Sequence, residues 1–223
     1  MQQTFEAAPL LLSLQIATVA TLVAAVVGLA IATLLANVRF RGRDLVDVLV
    51  TAPTVLPPTV LGYYLLVTLG RRSVIGHGFE VLFGSSIVFT RTGAVVAAAV
   101  GALPLVVKSS RSAFESVDPT LVQAARTLGA RSLRAFFLVQ LPLARRGIVA
   151  ALMLAFARSL GDFGITLMVA GDIPGETQTA SLAIYDAIQQ GRDQEALQLA
   201  ALLTAMAVAI LYTVEKLSGR GGR

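Results

Sequence analysis

The sequence predicts an all-helical polytopic membrane protein, a single-domain bundle of about five transmembrane helices over residues 1–223. Two observations carry this prediction. Of the 223 residues, 56% are hydrophobic and only 14% are charged, a balance that favours a chain embedded in lipid over a water-soluble domain. Residues 10–38 carry no charge, and this stretch exceeds the roughly 20 apolar residues with which a helix crosses the hydrocarbon core.

The start of the chain does not read as a secretory signal. Residues 1–9 include Glu6 but no lysine or arginine, whereas a signal peptide begins with a basic region and continues with a short apolar core. We therefore expect the first apolar segment to remain as a membrane span. Cysteine is absent, which excludes disulfides, thiolate metal sites and cysteine nucleophiles.

Four further apolar segments complete the predicted set of spans, at about residues 48–69, 86–107, 147–170 and 196–214. Basic residues gather at residues 39–43, at residues 108–146 and in a tail with Lys216, Arg220 and Arg223. These regions alternate correctly for cytoplasmic segments, so the N-terminus is expected outside and the C-terminus in the cytoplasm. The formal charge of +5 then reflects membrane-flanking loops and does not indicate nucleic-acid binding.

Small residues recur at every fourth position in three spans, which would let helix backbones approach closely in lipid. An alternative is that alanine is simply frequent in this sequence; both interpretations predict a packed bundle. The positions are Ala20, Ala24, Gly28, Ala32 and Ala36 in span 1, Gly93, Ala97 and Gly101 in span 3, and Ala201, Ala205 and Ala209 in span 5.

The segment of residues 109–142, between spans 3 and 4, contains a short predicted helix. Asp118 is a suitable N-cap, Pro119 suits the first helical position, and Gly129 supplies the stop. One predicted face of this helix is apolar and needs a partner, which is either the lipid headgroup region or another protein. That face is made by Leu121, Val122, Ala125 and Leu128.

Residues 123–142 resemble the EAA loop of ABC import permeases. The family pattern is Glu-Ala-Ala, three residues, Gly, nine residues, Ile, one residue and Leu-Pro; this chain has Gln123-Ala124-Ala125, then Gly129, Val139 and Leu141-Pro142 at that spacing. The departures, Gln for Glu and Val for Ile, are mild. The resemblance implies a transmembrane bundle like that of type I ABC importers, with a cytoplasmic coupling helix.

The resemblance also implies that this helix docks on a cytoplasmic ATPase subunit. The chain has no Gly-rich loop ending in Gly-Lys-Ser/Thr, so it is not expected to be an enzyme; ATP and magnesium are expected to bind the partner ATPase, and this chain is expected to hold no cofactor or metal. The candidate ATPase-coupling residues are Leu121, Gln123, Ala124, Ala125, Leu128 and Gly129.

Span 2 contains Pro53, Pro57, Pro58 and Gly62, and each interior proline removes a helical hydrogen bond. A helix broken within the membrane is tolerated where it is buried in protein or lines a watery cavity, so span 2 is predicted to line a pathway. The alternative is a kink that neighbouring helices repair. The candidate pathway residues in this span are Thr54, Pro57, Pro58, Thr59 and Tyr63.

Span 4 carries Arg158 and Asp162, four positions apart and predicted at mid-membrane depth. A lone charge at that depth costs about 2.5–3.5 kcal/mol, so the two are expected to pair. The pair is either purely structural or part of an anion route, in which Arg158 supplies positive potential and Asp162 prevents that potential from trapping the anion.

Three stretches resemble oxyanion permeases and are most similar to the molybdate permeases: residues 155–164 (AFARSLGDFG), 56–62 (LPPTVLG) and 173–179 (IPGETQT). The resemblance implies alternating-access transport of molybdate or tungstate across the bacterial inner membrane, with sulfate or thiosulfate as an alternative. It implies a homodimer, two ATPase subunits and a periplasmic oxyanion-binding protein, received in part by residues 171–195. The apolar stretch of that segment, Ala180 to Ile188, is too short to span; the alternative, a re-entrant or interfacial helix packed on the bundle, is compatible with that role.

Two other classes of protein are less consistent with the sequence. An intramembrane hydrolase built on Ser85 or Ser86 would lack a nearby general base. An ion-coupled secondary transporter could use the charges of span 4, but no inverted repeat is visible. His77 is the only histidine, and it lies between glycines in a predicted surface turn.

Overall fold

The computed structural model describes residues 8–219, and within this range the chain is built of helices joined by short connections. Glu6, Arg220 and Arg223, on which part of the predicted topology depends, lie outside the described residues. The helices are α1 (Ala8–Asn37), α2 (Arg43–Val55), α3 (Pro58–Leu69), α4 (Val74–Phe83), α5 (Arg91–Glu115), α6 (Pro119–Thr127), α7 (Ser132–Ala135), a π-helical segment (Phe136–Gln140), α8 (Leu141–Leu160), α9 (Gly164–Ala170), α10 (Ala180–Gln189) and α11 (Asp193–Gly219).

Four continuous helical stretches are long and apolar enough to cross a membrane: Ala8–Asn37, Arg91–Glu115, Ser132–Leu160 and Asp193–Thr213. The pair formed by α2 and α3 passes the same test as one bent span, with 116° between its halves. The described residues therefore contain up to five candidate spans, and the all-helical membrane fold predicted from the sequence is confirmed.

Helix α5 is the centre of the bundle and packs along α1 and α8. The small-residue stripe of α1 faces α5, with Ala20, Ala24, Gly28 and Ala32 buried. At Gly28 the approach is so close that a Cβ atom would lie 2.7 Å from a methyl carbon of Val106. Small side chains thus set the distance between these two helices, as expected where lipid supplies no hydrophobic drive for association.

The stripe on α11 behaves differently. Ala201, Ala205 and Ala209 are exposed in the single chain, because α11 packs mainly on α10 and only lightly on α8. The long outer face of α11 is therefore an apolar surface that no other described residue of the chain covers.

Charged side chains join α2 to the far end of α5. The Arg111 Nη1 lies 3.2 Å from Asp47 Oδ1, and the Arg43 Nη2 lies 3.5 Å from Glu115 Oε1. Arg43 also donates to the carbonyl oxygen of Leu35 in α1 at 2.6 Å. These contacts hold α2, α1 and α5 together immediately before the chain enters α6.

Candidate functional site

The break in span 2 follows directly from its prolines. Helix α2 tolerates Pro53 but ends at Val55, where Leu56 has extended backbone torsions. Helix α3 begins at Pro58, the first helical position, where proline needs no backbone N–H. The predicted break is therefore present, and it turns the chain through 116°.

Span 4 is also broken, which the predicted single span over residues 147–170 does not anticipate. Helix α8 begins earlier, at Leu141, and ends at Leu160; a second helix, α9, begins at Gly164. The Asp162 carboxylate stabilises the new start, because its Oδ2 accepts from the Thr166 backbone N–H at 2.9 Å and from the Thr166 hydroxyl at 2.7 Å. Such capping satisfies donors that the first turn of a helix leaves free.

The predicted pair of charges in span 4 is present at this break. Arg158 Nη1 lies 2.8 Å from Asp162 Oδ1, and the Asp162 side chain is 2% exposed while that of Arg158 is 35% exposed. The guanidinium lies against Gly101 of α5, where a Cβ atom would be 3.5 Å from Arg158 Nη2. Asp162 is thus fully engaged within the chain, whereas Arg158 retains access to the surface.

The two breaks are in contact with each other. A Cβ atom added to Gly164 would lie 2.8 Å from Pro58 Cβ, and one added to Gly62 would lie 2.6 Å from Met168 Cβ. Helices α3 and α9 therefore run together from their first turns, with glycine on each side of the contact. This juxtaposition brings the proline-rich turn of span 2 next to the Arg158–Asp162 pair of span 4.

The five predicted pathway residues of span 2 are exposed in the single chain. Tyr63 is 55% exposed, and its ring lies near that of Tyr64. The hydroxyl of Thr54, one of these candidate residues, donates to the carbonyl oxygen of Thr51 at 2.7 Å. A hydroxyl that back-bonds within its own helix has no second proton to offer.

Helix α10 packs against the break in span 4 and holds it in place, a role that no pattern in the sequence indicates. The Ser181 hydroxyl donates to the Asp162 carbonyl oxygen at 2.8 Å, and the rings of Phe163 and Tyr185 lie 5.1 Å apart. Farther along, the Ala180 N–H donates to the Ser13 hydroxyl at 2.7 Å. Any movement of α10 would therefore act directly on the turn that carries Asp162.

Replacing Gly164 with alanine is expected to push the two breaks apart. The new Cβ atom would overlap Pro58, and overpacking of this kind typically costs about 1–3 kcal/mol. Gly161→Ala is the matched control, because there an added Cβ atom would lie 3.6 Å from the Ala157 carbonyl oxygen, an ordinary van der Waals distance, and φ is −92°. Thermal unfolding of the purified protein should show a clearly lower midpoint for Gly164→Ala alone; equal midpoints would contradict the close contact.

The second candidate site is α6, which begins and ends as its sequence predicts. Asp118 Oδ1 accepts from the Thr120 N–H at 2.9 Å and from the Thr120 hydroxyl at 2.7 Å, and these bonds lower the pKa of Asp118. At the other end Gly129 has φ +89°, and Ala130 N–H donates to the Ala125 carbonyl oxygen. This i to i−5 bond closes a Schellman turn, which requires the left-handed glycine.

The apolar face predicted for α6 is divided between two environments. Val122 and Ala125 are half-buried toward the bundle, whereas Leu121 is 48% and Leu128 89% exposed. The bundle therefore covers one edge of the predicted apolar face and leaves the other edge exposed. The exposed edge, which also includes Gln123 and Ala124, points away from the bundle and is available to a partner.

The chain re-enters the bundle through the π-helical segment, where Leu141 N–H donates to the Phe136 carbonyl oxygen five residues back. Pro142 follows and cannot donate to the helix, and the wider π turn accommodates it. Buried Gln140 donates to the Phe114 carbonyl oxygen at 3.4 Å, which ties this segment to the end of α5. Among the side chains that the structure describes, no group of His, Asp and Glu is placed to hold a metal ion.

Solved ABC transporters share this fold at low sequence identity. The MetNI methionine ABC transporter, solved in inward-facing conformations, matches with a TM-score of 0.79 and 19% identity over 96% of this chain and 95% of the matched chain. A bacterial ABC transporter involved in import of the acidic polysaccharide alginate matches with a TM-score of 0.76 and 15% identity, covering 100% and 82%. At these identities the likeness concerns the fold alone.

Sequence relatives are much closer. The molybdenum transport system permease protein ModB of Escherichia coli (strain K12) is 45% identical over 209 residues, 93% of this chain and 91% of the relative. ModB of Haemophilus influenzae is 42% identical over 210 residues, 94% and 92%. The sulfate transport system permease protein CysT of Salmonella typhimurium is 34% identical over 207 residues, 93% and 74%.

A family model described as the binding-protein-dependent transport system inner membrane component matches residues 9–218. The match includes both broken spans and the α6 segment, and it agrees with the resemblance first seen in residues 123–142. The chain belongs to the family of binding-protein-dependent transport system inner membrane components.

Proposed function

We propose that this chain is the permease subunit of an ATP-driven ABC importer that carries molybdate, or the similar oxyanion tungstate, into the cell. The observation that carries the proposal is the 45% identity to a molybdenum transport permease over 93% of the chain. Sulfate is the second candidate cargo, because a sulfate transport permease is 34% identical over a similar length.

The contact between the two broken spans is the proposed route for the anion. Arg158 supplies positive charge that is still 35% exposed, while Asp162 neutralises part of it and keeps the site from holding the anion too tightly. Thr59 and Tyr63, exposed beside the break in span 2, offer hydroxyl donors, and Pro57 and Pro58 keep the turn open. Paired intramembrane charges at such a break are typical of ion pathways.

The exposed edge of α6 is the proposed docking surface for the ATPase. Leu121 and Leu128 would enter an apolar groove of that subunit. The small side chain of Ala124 would permit close approach beside exposed Gln123, and Gly129 ends the helix. Ala125, half-buried against the bundle, would transmit the contact to it. ATP and magnesium would bind two such ATPase subunits, one under each permease copy, so that their closure would move α6 and alternate the access of the cavity.

A second copy of the chain would complete the cavity. The outer face of α11, with Ala201, Ala205, Ala209 and Tyr212 exposed, supports a helix-to-helix contact in the membrane. In this arrangement α6 and the C-terminus face the cytoplasm and the N-terminus lies outside. Helix α10 lies at the opposite end, where a periplasmic oxyanion-binding protein would dock and act on the Asp162 turn.

Uptake into proteoliposomes tests the proposed function. The permease, reconstituted with its ATPase and binding protein, should accumulate labelled molybdate only when ATP is supplied, and unlabelled tungstate should compete far better than sulfate. Preferential competition by sulfate would select the second cargo. Accumulation driven by an ion gradient without ATP or the ATPase would contradict the importer assignment and indicate a secondary carrier.

A further inference from the structure

A groove of about 780 Å³ lies beside the bundle at the end that carries α6. One wall is the second half of α1, from Leu29 to Val38, and the other is formed around Phe136 and Phe137. At 1.5 Å of rise per residue, the α1 wall is about 13 Å long. Since α1 is a candidate membrane span, the groove opens where the hydrocarbon core gives way to the headgroup region.

The chemistry of the groove is that of an amphiphile site. Of the described residues that line it, Arg126 of α6 is the one with a charge, and most of the others are aliphatic or aromatic. Arg126 is exposed, and none of the carboxylates whose side chains the structure describes holds it in an ion pair. Two of the polar lining side chains are engaged within the chain: the Asn37 amide donates to the Thr33 carbonyl oxygen, and the Gln140 amide donates to that of Phe114.

We propose that this groove binds an anionic phospholipid of the adjacent leaflet, with an acyl chain along α1 and the phosphate paired with Arg126. Charge complementarity favours this occupant, because a cation at the rim of an apolar recess suits a lipid phosphate and would be poorly matched to a purely apolar helix. Basic residues beside membrane spans attract anionic headgroups in the same way. The lipid would bridge α1 and α6, and so hold the helix that is proposed to dock the ATPase.

The absence of tryptophan from the chain permits a test free of background fluorescence. Phe137→Trp places a reporter in the groove, and Tyr64→Trp places one with similar exposure on α3. Each full-length variant is reconstituted in lipid vesicles containing phosphatidylglycerol or phosphatidylcholine with brominated acyl chains, which quench tryptophan on contact. At Phe137→Trp, the relative affinity for phosphatidylglycerol should exceed that for phosphatidylcholine by about fivefold, the factor expected for one arginine near an anionic lipid.

Variants that remove a charge show which residue causes the preference for phosphatidylglycerol. Adding Arg126→Gln to the groove reporter should reduce the ratio to about 1, whereas Arg126→Lys, which keeps the charge, should preserve most of it. Arg134→Gln, on α7 but outside the groove lining, should leave the ratio unchanged.

Three results would overturn the proposal. Equal quenching by both lipids at Phe137→Trp would remove the headgroup preference. The same loss with Arg134→Gln as with Arg126→Gln would indicate general surface attraction. No quenching by either lipid would mean that protein, such as a second copy of the chain, covers the groove. None of these results depends on which anion is transported or on the ATPase, so the proposed function is tested separately.

Discussion

Leu128→Asp is expected to release the permease from the proposed ATPase subunit without unfolding it. Leu128 is 89% exposed in the single chain, so an aspartate there disturbs no packed surface. In the docked state the carboxylate would be buried in an apolar groove without a partner. A central apolar anchor is commonly worth about 2 kcal/mol or more, so we expect at least a roughly 30-fold loss of affinity.

Co-purification and a binding titration with the ATPase measure this effect. The matched control is Leu82→Asp, because Leu82 is 79% exposed on α4, which precedes α5, whereas α6 follows it at the other end of the bundle. The control should bind the ATPase normally. If Leu128→Asp also binds normally, the exposed edge of α6 is not the docking surface.

Gly129→Trp also tests the exposed edge of α6 as the docking surface, but it changes the backbone turn as well as the surface. The position has open space, with no atom within 4 Å of an added Cβ, so the bulk of tryptophan would block docking. Its φ of +89° also penalises any L side chain by about 1–2 kcal/mol, and the turn itself would be strained. Loss of ATPase binding is expected, with a contribution from the altered turn that Leu128→Asp avoids.

The bounds of α6 could be predicted from the sequence because their causes are local. Asp118, Pro119 and Gly129 each act on backbone groups within a few residues, so their order alone predicts where the helix begins and ends. Its exposed edge could not be predicted, because the sequence does not reveal on which side the bundle lies. Only the packed structure separates half-buried Val122 from exposed Leu128.

The two broken spans also differ in whether their causes are local in the sequence. Prolines impose the break in span 2, and any sequence that carries them at this spacing predicts one. The break in span 4 depends on the Asp162 carboxylate reaching Thr166 and on the contact between Gly164 and Pro58, two residues 106 positions apart in the sequence. The spacing of residues in the sequence reveals neither of these two contacts. The sequence therefore predicts that Arg158 and Asp162 pair, but not the turn that positions the pair.

Asp162→Ala is expected to destabilise the permease strongly. The carboxylate is 2% exposed and accepts three hydrogen bonds, one from Arg158 and two from Thr166. Removing one member of a buried pair costs about 3–5 kcal/mol, and we discount this to about 2–4 kcal/mol because Arg158 is partly exposed to solvent screening. The unfolding midpoint of the purified protein, and its level in the membrane, should both fall.

Arg158→Gln separates the structural role of the pair from its proposed role in transport. Glutamine leaves the Thr166 bonds to Asp162 in place, so stability should fall by less than it does in Asp162→Ala. Transport should fall much further, by at least about tenfold if Arg158 supplies as little as 1.4 kcal/mol toward the anion in the rate-limiting state.

One experiment distinguishes the two variants when uptake is normalised to the amount of folded protein in the membrane. Asp162→Ala is expected mainly to lower stability, and Arg158→Gln mainly to lower transport. Normal uptake by a well-folded Arg158→Gln permease would remove Arg158 from the anion route and leave it as the counter-charge of Asp162. Normal stability of Asp162→Ala would show that the turn after α8 does not need its carboxylate, in which case the contact of Gly164 with Pro58 must hold the break alone.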